Sequence, residues 1–343
     1  MRTTIYDIAE RAEVSIATVS KVINNKGKIG EKTKQRVLAI MDELDYQPST
    51  VASALTGKQT NTIGLLVPDI ANSFFAELAR SVEDTGHAGG FNVVICNTDN
   101  NPEKEIQYLW WLNQKRVDGI ILGTGIQNTK ALQDFMKQNI PLALVARDAS
   151  AIDVDTVLVD DHRGGYEATK HLLQAGHTRI AFVVGEMNNS SDTERLKGFY
   201  EAYDEYGVSR EEAVLVKDNH SIDDAKKSML EALQNDPGIT AVFALNDFLA
   251  IGCIQAGKEA GRQVPEDLSV VGFDDTFIAT LSDPPLTTVA QPILEMGRLV
   301  TQMLVDRIGG KNETTRTVIL NPELHVRKTT AGIKEAERDV TSS

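Results

Sequence analysis

The stretch TTIYDIAERAEVSIATVSKVINN, residues 3–25, decides how the N-terminal part of the chain folds. Its apolar residues recur at helical spacing in two short runs, which predicts two helices joined by a tight turn at residues 13–15. Thr4, with Asp7 three residues later, can cap the first helix, and Ser15 can cap the second. The positions expected to face inward are Ile5, Ile8, Ala9, Ala12, Val14, Val19, Val22 and Ile23.

The opposite face of the second predicted helix has no core to cover it. It carries small, polar and basic groups and one isoleucine, at Ile16, Ala17, Ser20, Lys21 and Asn24. Such a face is typical of a helix-turn-helix, whose second helix lies in the major groove of DNA with its first residues at the base edges. Helical spacing alone fits an ordinary pair of packed helices equally well.

A third predicted helix favours the DNA-binding interpretation. The run EKTKQRVLAIMDELDY, residues 31–46, has one apolar face formed by Val37, Ile40, Met41 and Leu44. Lys32, Lys34 and Arg36 lie near its start. Three short helices with basic groups at one end form a small bundle that can sit on phosphates.

The charge of the chain is divided unevenly. Residues 1–60 hold nine Lys or Arg against seven Asp or Glu, a net +2, whereas the remaining residues hold 26 against 42, a net −16. DNA contact should therefore be confined to the N-terminal head, with the acidic body facing away from phosphate. A head at +2 attracts DNA weakly, so tight binding should need two heads on one duplex, as in a homodimer.

Beyond residue 62 the sequence alternates apolar strands with amphipathic helices. The strand-like runs are TIGLLVP, FNVVICN, VDGIILG, LALVA, RIAFVVG, AVLV, TAVFAL and LSVVGF. Near-continuous apolar strands separated by helices are typical of parallel sheets covered on both faces. These strands are too many for one compact sheet, so two similar α/β halves with a cleft between them are expected.

Length and composition narrow the class of protein. The 343 residues have room for two or three domains. The sequence has no stretch of eighteen apolar residues and no signal-peptide pattern at its start, so we expect a cytoplasmic protein without membrane contact. Cys96 and Cys253 lie far apart inside apolar patterns and are expected to be buried thiols. The six histidines are scattered, and no metal site or cofactor is expected.

Several motifs, in order along the chain, resemble the LacI/GalR family of bacterial transcription regulators. They are TIYDIAERAEVSIATVSKVIN, YQPSTVASALTGKQTNTIGLLVPD, QKRVDGIIL, GHTRIAFVVG, ERLKGF, VPEDLSVVGFDD and PPLTTVAQP. The resemblance spans nearly the whole chain, from Thr4 to near Arg327. It implies an N-terminal all-α helix-turn-helix head followed by a two-lobed α/β body with parallel sheets, of the type I periplasmic-binding-protein-like fold.

The resemblance and the strand pattern together predict the domain organisation. The predicted parts are a helix-turn-helix domain at 1–46, a hinge helix or linker at 47–61, an N-subdomain at 62–160 with 291–320, a C-subdomain at 161–290 and a disordered tail at 328–343. The tail is polar and lacks a leucine heptad, so no tetramerising coiled coil is expected. In this family the hinge folds only on DNA beside its partner's hinge, where Leu55 would wedge into the minor groove with Val51 and Ala52 beside it.

The resemblance also assigns the groups that would contact DNA. Ile16, Ala17 and Lys21 would lie over bases, with the neighbouring polar side chains toward the backbone or groove edge. Relatives usually have Arg where Lys21 stands; Lys can donate to guanine N7 and O6, but without the planar fork of Arg. The predicted DNA-binding residues are Thr4, Tyr6, Ser15, Ile16, Ala17, Thr18, Ser20, Lys21, Asn24, Val51, Ala52 and Leu55.

Polar side chains follow the predicted strands of the body, where ligands bind in open parallel sheets. Carboxylates, amides and an arginine beside phenylalanine rings suit a polyol, because planar groups bind vicinal hydroxyls and a ring covers the apolar face of a sugar. The resemblance adds that Arg195, Asn246 and Asp274 match positions that hold effectors in many relatives, and that Arg147 stands where sugar-responsive members often have Arg. The predicted effector-binding residues are Asn72, Phe74, Phe75, Arg147, Asp160, Asn189, Ser191, Arg195, His220, Asn246, Asp274 and Gln291.

The same polar residues have a plain structural alternative. Asp and Asn after strands are very often helix caps, and Asp99 and Asp247 are the strongest candidates for that role alone. Gly176 in QAGHTRIAF is expected to be a left-handed helix cap that leads into a strand.

Two other classes of protein compete with a DNA-binding regulator. An enzyme is disfavoured because the sequence lacks G-x-S-x-G, a P-loop and a zinc-binding His pair, and GTG at residues 123–125 is not a dinucleotide fingerprint. A solute-binding receptor of a transport system would use the same two-lobed body. The helix-turn-helix head and the missing signal peptide oppose that alternative.

The favoured function is a homodimeric transcriptional repressor that binds a pseudo-palindromic operator. A small-molecule effector between the lobes, a sugar or sugar derivative, would control it by favouring one of two states. Induction and corepression both fit the sequence. Phe277 stands where Arg is expected in members that use a phosphocarrier protein as corepressor, so that partner is not expected here.

Overall fold

The chain divides into two compact units, residues 1–60 and 61–343. The computed structural model describes residues 3–23, 27–46, 59–124, 129–147, 152–185, 190–217, 221–311 and 314–333. The predicted hinge falls mostly on residues 47–58, outside the described residues.

The first unit is a bundle of three helices. They are α1 (Ile5–Arg11), α2 (Ile16–Ile23) and α3 (Glu31–Glu43). The predicted caps are confirmed: Asp7 Oδ2 accepts hydrogen bonds from the Thr4 backbone N–H and Oγ1, both at 2.7 Å, and Ser15 Oγ accepts from the Thr18 N–H at 3.2 Å. The buried core consists of Ile8, Ala9, Ala12, Val19, Val22 and Val37. The turn between α1 and α2 is tight because Glu13 takes a left-handed backbone, with φ 51°.

The second unit alternates strands and helices. Its strands are β1 (Thr62–Val67), β2 (Asn92–Asn97), β3 (Gly119–Leu122), β4 (Leu142–Val145), β5 (Asp155–Val159), β6 (Ile180–Val184), β7 (Val214–Lys217), β8 (Ala241–Ala244), β9 (Ser269–Asp274), β10 (Thr287–Ala290), β11 (Thr317–Leu320) and β12 (Glu323–His325). Its helices are α4 (Ser73–Ala88), α5 (Pro102–Gln114), α6 (Thr129–Met136), α7 (Asp161–Gln174), α8 (Ser190–Glu205), α9 (Ile222–Asn235), α10 (Asp247–Glu259), α11 (Phe277–Leu281) and α12 (Ile293–Ile308), with a 3-10 turn at Arg210–Glu212. Within the described ranges, no helix is both long and apolar enough to cross a membrane.

The strands form two six-stranded sheets, as the sequence predicts. The first has the order β11-β5-β4-β3-β1-β2, with every neighbouring pair parallel. The second has the order β12-β10-β9-β8-β6-β7, parallel except for the antiparallel pair of β10 and β12. The first sheet with α4, α5, α6 and α12 is called the first lobe, and the second sheet with α7–α11 the second lobe.

The chain passes between the lobes three times. It leaves the first sheet after β5, returns to it through α12 after β10, and leaves it again between β11 and β12. Each lobe is therefore built from separate stretches of sequence. Both sheets direct the carboxyl ends of their central parallel strands toward the loops that lie between the lobes, which is where a ligand is expected.

The tail is ordered further than the sequence indicates. Thr329 is fully buried: its Oγ1 donates to the Val270 carbonyl at 2.6 Å and accepts from the Thr287 N–H at 2.8 Å. The Ala331 N–H donates to Ser269 Oγ at 3.0 Å. The predicted disordered tail is therefore wrong for residues 328–333, and residues 334–343 lie outside the described residues. The polar composition of this segment predicts disorder, but hydrogen bonds to the second sheet, rather than apolar burial, hold it in place.

Both cysteines are buried free thiols, as predicted. Cys96 lies in β2 and Cys253 in α10. Burial raises the pKa of the Cys96 thiol to about 11. The Cys96 thiol is therefore not set up for redox chemistry, because the reactive form is the thiolate.

Helices α7 and α8 touch through their backbones at two glycines. A Cβ on Gly165 would lie 2.2 Å from the Arg195 carbonyl oxygen, and a Cβ on Gly198 would lie 2.0 Å from the His162 carbonyl oxygen. Only glycine allows this approach, since any side chain would overlap the facing backbone. The close crossing fixes where Arg195, on α8, emerges relative to the start of α7.

We expect Gly198→Ala to lower the free energy of unfolding of the body by about 1–3 kcal/mol, because the added methyl forces the two helices apart. Gly332→Ala is the matched control, since its Cβ would meet only an ordinary contact, 3.6 Å from the Ala175 carbonyl oxygen. Urea denaturation of the two variants measures the difference. Equal stability of both variants would contradict the close crossing.

Candidate functional site

The predicted DNA-binding face of α2 is open to solvent within its own unit. Ser15, Ile16, Ala17 and Lys21 are exposed, with Ile16 41% exposed, while Thr18 and Ser20 are half-buried. Thr4 and Tyr6, at the start of α1, are also exposed, Tyr6 at 67%. An isoleucine and a tyrosine left this bare beside a lysine form a surface that can contact base edges and phosphates.

Six of the predicted site residues cannot be placed. Asn24, Val51, Ala52, Leu55, Asn189 and His220 lie outside the described residues. Their proposed roles remain predictions.

In the body, one cavity gathers most of the predicted effector residues. It encloses about 420 Å³ of space, including open solvent at its mouth. It is lined by Asn72, Phe74, Phe75, Ala146, Arg147, Asp161, Ser191, Asp192, Arg195, Asn246, Asp274 and Gln291. Every predicted effector residue that the structure describes is in this set except Asp160.

Asp160 does not line the cavity. It caps α7, where its Oδ1 accepts a hydrogen bond from the Arg163 N–H at 2.9 Å. The next residue, Asp161, lines the cavity instead. Two adjacent carboxylates follow β5 in the sequence. The residue at which α7 begins determines which of them caps the free backbone N–H groups of the helix and which lines the cavity.

Arg195 is held by Asp161 across the α7–α8 crossing. Its Nε donates to Asp161 Oδ1 at 2.8 Å, and its Nη1 donates to the Leu245 carbonyl at 2.5 Å. Its guanidinium carbon lies 3.5 Å from the centroid of the Phe273 ring. Burial alone would lower the pKa of Arg195, but the carboxylates of Asp161, Asp274 and Asp192 more than offset it, so its pKa is raised. Of the two carboxylates after β5, the sequence pattern predicts Asp160 rather than Asp161 as a site residue, and it does not indicate Asp192, which stands in α8 beside the predicted Ser191.

Two buried polar atoms of the cavity-lining side chains have no hydrogen-bond partner among the described residues. They are Nε of Arg147 and Oε1 of Gln291. The rest of each side chain is fixed: Arg147 Nη1 donates to the Ala146 carbonyl at 2.7 Å, and Gln291 Nε2 donates to Asp274 Oδ1 at 2.7 Å. A buried polar group without a partner is destabilising by about 1–3 kcal/mol, so such groups need a reason.

Two cavity residues are also helix caps. Asn72 Oδ1 accepts from the Phe74 N–H at 3.0 Å, at the start of α4, and Asn246 Oδ1 accepts from the Leu249 N–H at 2.9 Å, at the start of α10. The capping alternative and the site assignment are therefore compatible for these residues. The side-chain oxygen serves the helix, which leaves the amide N–H₂ group available to a ligand.

The predicted capping roles of Asp99 and Asp247 are wrong. Asp99 accepts from Lys104 Nζ at 2.6 Å, and Asn101 caps α5 instead. Asp247 is the first residue of α10 and is 1% exposed; its carboxylate accepts from Thr288 Oγ1 at 2.6 Å and from the Thr276 N–H at 2.8 Å. The predicted left-handed cap at Gly176 is confirmed, with φ 92°.

Two buried carboxyl groups of the second lobe have a pKa above the usual range of an aspartate. Burial raises the pKa of Asp247 to about 7. Burial also raises the pKa of Asp274 well above its usual range, and the neighbouring Asp247 adds to the effect. A carboxylate in a dry site resists ionisation unless a cation compensates it, and Arg195 supplies only part of that compensation.

The cavity therefore combines hydrogen-bond donors, acceptors and rings without a reactive nucleophile. The rings of Phe74 and Phe75 meet edge to face, with centroids 4.9 Å apart. The described residues contain no group of three or more His, Cys, Asp or Glu side chains placed to hold a metal ion. The arrangement suits a small, neutral, polar ligand with one apolar face.

Comparison with known proteins agrees with this architecture. Residues 4–49 match the profile of bacterial regulatory proteins of the lacI family, and residues 169–330 match that of the periplasmic binding protein-like domain. The HTH-type transcriptional regulator DegA of Bacillus subtilis is 46% identical over 335 residues, covering 96% of this chain and 99% of DegA.

The solved structures that resemble the chain include two with a bound ligand. A ribose-bound LacI family transcriptional regulator from Enterococcus faecium is 36% identical, with a TM-score of 0.75, over 80% of this chain and 100% of its own. The lac repressor dimer bound to operator and the anti-inducer ONPF is 27% identical, with a TM-score of 0.83, over 96% of this chain and 100% of its own.

A three-helix DNA-binding head joined to a two-lobed ligand-binding body defines a ligand-responsive transcription regulator. The chain belongs to the LacI family of bacterial transcriptional regulators. It is therefore a DNA-binding protein and not an enzyme, and the transport-receptor alternative is not favoured.

The raised pKa of Asp247 predicts the direction in which the free energy of unfolding changes with pH. Between the ordinary pKa of 3.8 and the folded value of about 7, the folded state binds more protons than the unfolded state, so this group's contribution to stability falls as pH rises. We expect the free energy of unfolding of Asp247→Asn to rise relative to that of wild type as the pH increases from 4.5 to 7.5. Urea denaturation at each pH measures it.

Asp204→Asn is the control for this prediction. Asp204 is exposed, and its hydrogen bond with Arg210 lowers its pKa. The difference between this variant and wild type should not move in the same direction. A pH-independent difference for Asp247→Asn would contradict the burial assigned to that carboxyl group.

Proposed function

We propose that the chain acts in the cytoplasm as a homodimeric repressor that binds a pseudo-palindromic operator and responds to a monosaccharide or a close sugar derivative. The head supplies sequence recognition, and the cavity between the lobes supplies the response. Two heads at +2 each bind one duplex more tightly than a single head, because the second contact is intramolecular.

The proposal of a sugar as effector rests on the two cavity atoms that have no hydrogen-bond partner among the described residues. Arg147 Nε is a donor that needs an acceptor, and Gln291 Oε1 is an acceptor that needs a donor. A hydroxyl group is both at once, so a molecule with several hydroxyls satisfies both atoms. The ribose-bound relative from Enterococcus faecium supports the same ligand class.

Charge and shape favour a neutral sugar over an anionic ligand. The cavity lining carries the guanidinium groups of Arg147 and Arg195 together with the carboxyl groups of Asp161, Asp192 and Asp274. An anion would meet these carboxylates at close range. The phenylalanine pair offers ring surface for the apolar C–H face of a sugar.

The effector would act by shifting a two-state equilibrium of the lobes. A ligand changes that equilibrium only by its difference in affinity for the two states. Whether the sugar releases the operator or strengthens its binding is read from the sign of the response when operator-bound protein is titrated. Either sign is compatible with the proposed site.

Recognition of bases by Lys21 makes the first functional prediction. We expect Lys21→Gln to weaken binding to a duplex selected from a random pool by at least tenfold, while binding to random DNA falls much less. The reason is that a base contact contributes about 1–3 kcal/mol of discrimination, whereas charge alone contributes nonspecific affinity. Gel-shift titrations of both duplexes at the same salt concentration measure this.

Lys32→Gln is the matched control, because it removes the same charge from the exposed start of α3. It should weaken binding to both duplexes by a similar factor. Failure of the wild-type protein to enrich any duplex from the pool would overturn the DNA-binding proposal. Equal specificity ratios for the two variants would remove Lys21 from the base-contacting set.

The cavity makes a second prediction. We expect Arg147→Gln to raise the dissociation constant for D-ribose about ten- to hundredfold, because it removes charge-assisted hydrogen bonds to ligand hydroxyls. Operator binding without sugar should stay unchanged. Titration calorimetry measures the first quantity and gel-shift the second, with D-glucose, D-galactose and hypoxanthine as parallel probes.

Arg210→Gln is the control, since Arg210 forms a surface ion pair with Asp204 away from the cavity. It should leave sugar affinity unchanged. Binding of hypoxanthine in preference to all three sugars would replace the proposed ligand class. Unchanged sugar affinity in Arg147→Gln would remove Arg147 from the site.

A further inference from the structure

Three buried polar residues connect the two lobes directly beside the cavity. Ser73, the first residue of α4 in the first lobe, donates from Oγ to Thr276 Oγ1 at 2.9 Å. Thr276, in the second lobe, donates in turn from its Oγ1 to Asp247 Oδ2 at 3.0 Å. Ser73 is 3% exposed, and Thr276 and Asp247 are 1% exposed. Water therefore does not compete for these bonds.

Each member of this chain of bonds lies next to a cavity residue in the sequence. Ser73 stands between Asn72 and Phe74, Asp247 follows Asn246, and Thr276 comes two residues after Asp274. A ligand that shifts any of these cavity residues also shifts the backbone of a bonding partner. The bonds themselves do not line the cavity.

The segment between Asp274 and Thr276 is backbone-strained. Asp274 has φ 113° and Asp275 has φ 58°, two consecutive non-glycine residues in the left-handed region. Such conformations are unfavourable for residues with a side chain and persist only where the surroundings impose them. Beyond the strained pair, the Phe277 N–H donates to Glu77 Oε1 of the first lobe at 3.1 Å. The segment thus runs from the cavity to a second contact between the lobes.

We propose that Ser73, Thr276 and Asp247 form a latch that holds the lobes closed and thereby sets effector affinity without touching the effector. They are positioning residues. A ligand that binds the closed arrangement gains whatever free energy the latch contributes to closure, because only the closed fraction of the protein is competent to bind. The effect on effector affinity rests on the proposed function of the cavity. The hydrogen bonds between the lobes are independent of which ligand the cavity binds.

Thr288 provides a matched control within one lobe. Its Oγ1 donates to Asp247 Oδ1 at 2.6 Å, so it bonds the same buried carboxylate as Thr276 but makes no bond to the first lobe in the described structure. Thr276→Val and Thr288→Val therefore remove the same group, bonded to the same partner. Only the first also removes the acceptor of Ser73. Thr276→Ser keeps the hydroxyl and tests rescue.

The experiment compares the full-length variants Ser73→Ala, Thr276→Val, Thr276→Ser and Thr288→Val by two measurements. The first is the dissociation constant for D-ribose by titration calorimetry. The second, made without sugar, is the amide exchange rate of a peptide containing Phe277, whose N–H reports the contact with Glu77. We expect Ser73→Ala and Thr276→Val to raise the dissociation constant about five- to tenfold, as for loss of one buried hydrogen bond, and to speed exchange.

Thr276→Ser should restore both quantities, Thr288→Val should leave both near wild type, and the double variant of Ser73→Ala with Thr276→Val should be no worse than the stronger single variant. Equal effects of Thr276→Val and Thr288→Val, or no effect of Ser73→Ala on either measurement, would overturn the latch. If wild type binds none of D-ribose, D-glucose and D-galactose, the proposed ligand class fails, and the exchange measurement alone decides the latch.

Discussion

The ion pair between Arg195 and Asp161 is the interaction on which the ligand-binding body depends. Both side chains are nearly buried, and a buried guanidinium without its carboxylate would be strongly destabilising. The pair forms only because α7 and α8 approach to backbone contact at Gly165 and Gly198. One close helix crossing thus places a charge in the lining of the cavity and pairs it there with an opposite charge.

The ion pair also organises the other charges of the cavity. Arg195 compensates part of the charge of Asp274, and Asp274 is further fixed by Gln291. Behind these groups, Asp247 is buried without a cation and depends on hydroxyl and amide donors from Thr276 and Thr288. In the second lobe, the charged groups at the cavity are thus paired with each other, whereas the carboxyl group of Asp247 behind them is held by hydrogen bonds alone. Because its pKa is raised, we expect the stability of the lobe to depend on pH.

The head and the body solve different physical problems. The head is a small bundle with a mildly positive charge, and its stability comes from a handful of apolar residues that leave one helix face bare. The body is acidic, with extensive apolar cores in both lobes, and two of its buried polar atoms that have no partner among the described residues lie in the cavity lining. In both units some of the groups available for binding are ones that folding leaves exposed or without a partner among the described residues.

The sequence by itself determined the element types, the two-sheet architecture and the nature of the bare face on α2, because these follow from the periodicity of apolar residues along the chain. It also indicated most of the cavity residues, since the ends of parallel strands meet at one edge. It could not distinguish Asp160 from Asp161, give Asp247 its role, or find the order in residues 328–333. Those outcomes depend on which groups meet across 29 to 62 residues of sequence, as with Thr276 and Asp247 or Ser269 and Ala331. Only the packed tertiary structure decides such contacts, because neighbouring positions in sequence are chemically equivalent until the backbone turns one inward and the other to a helix end.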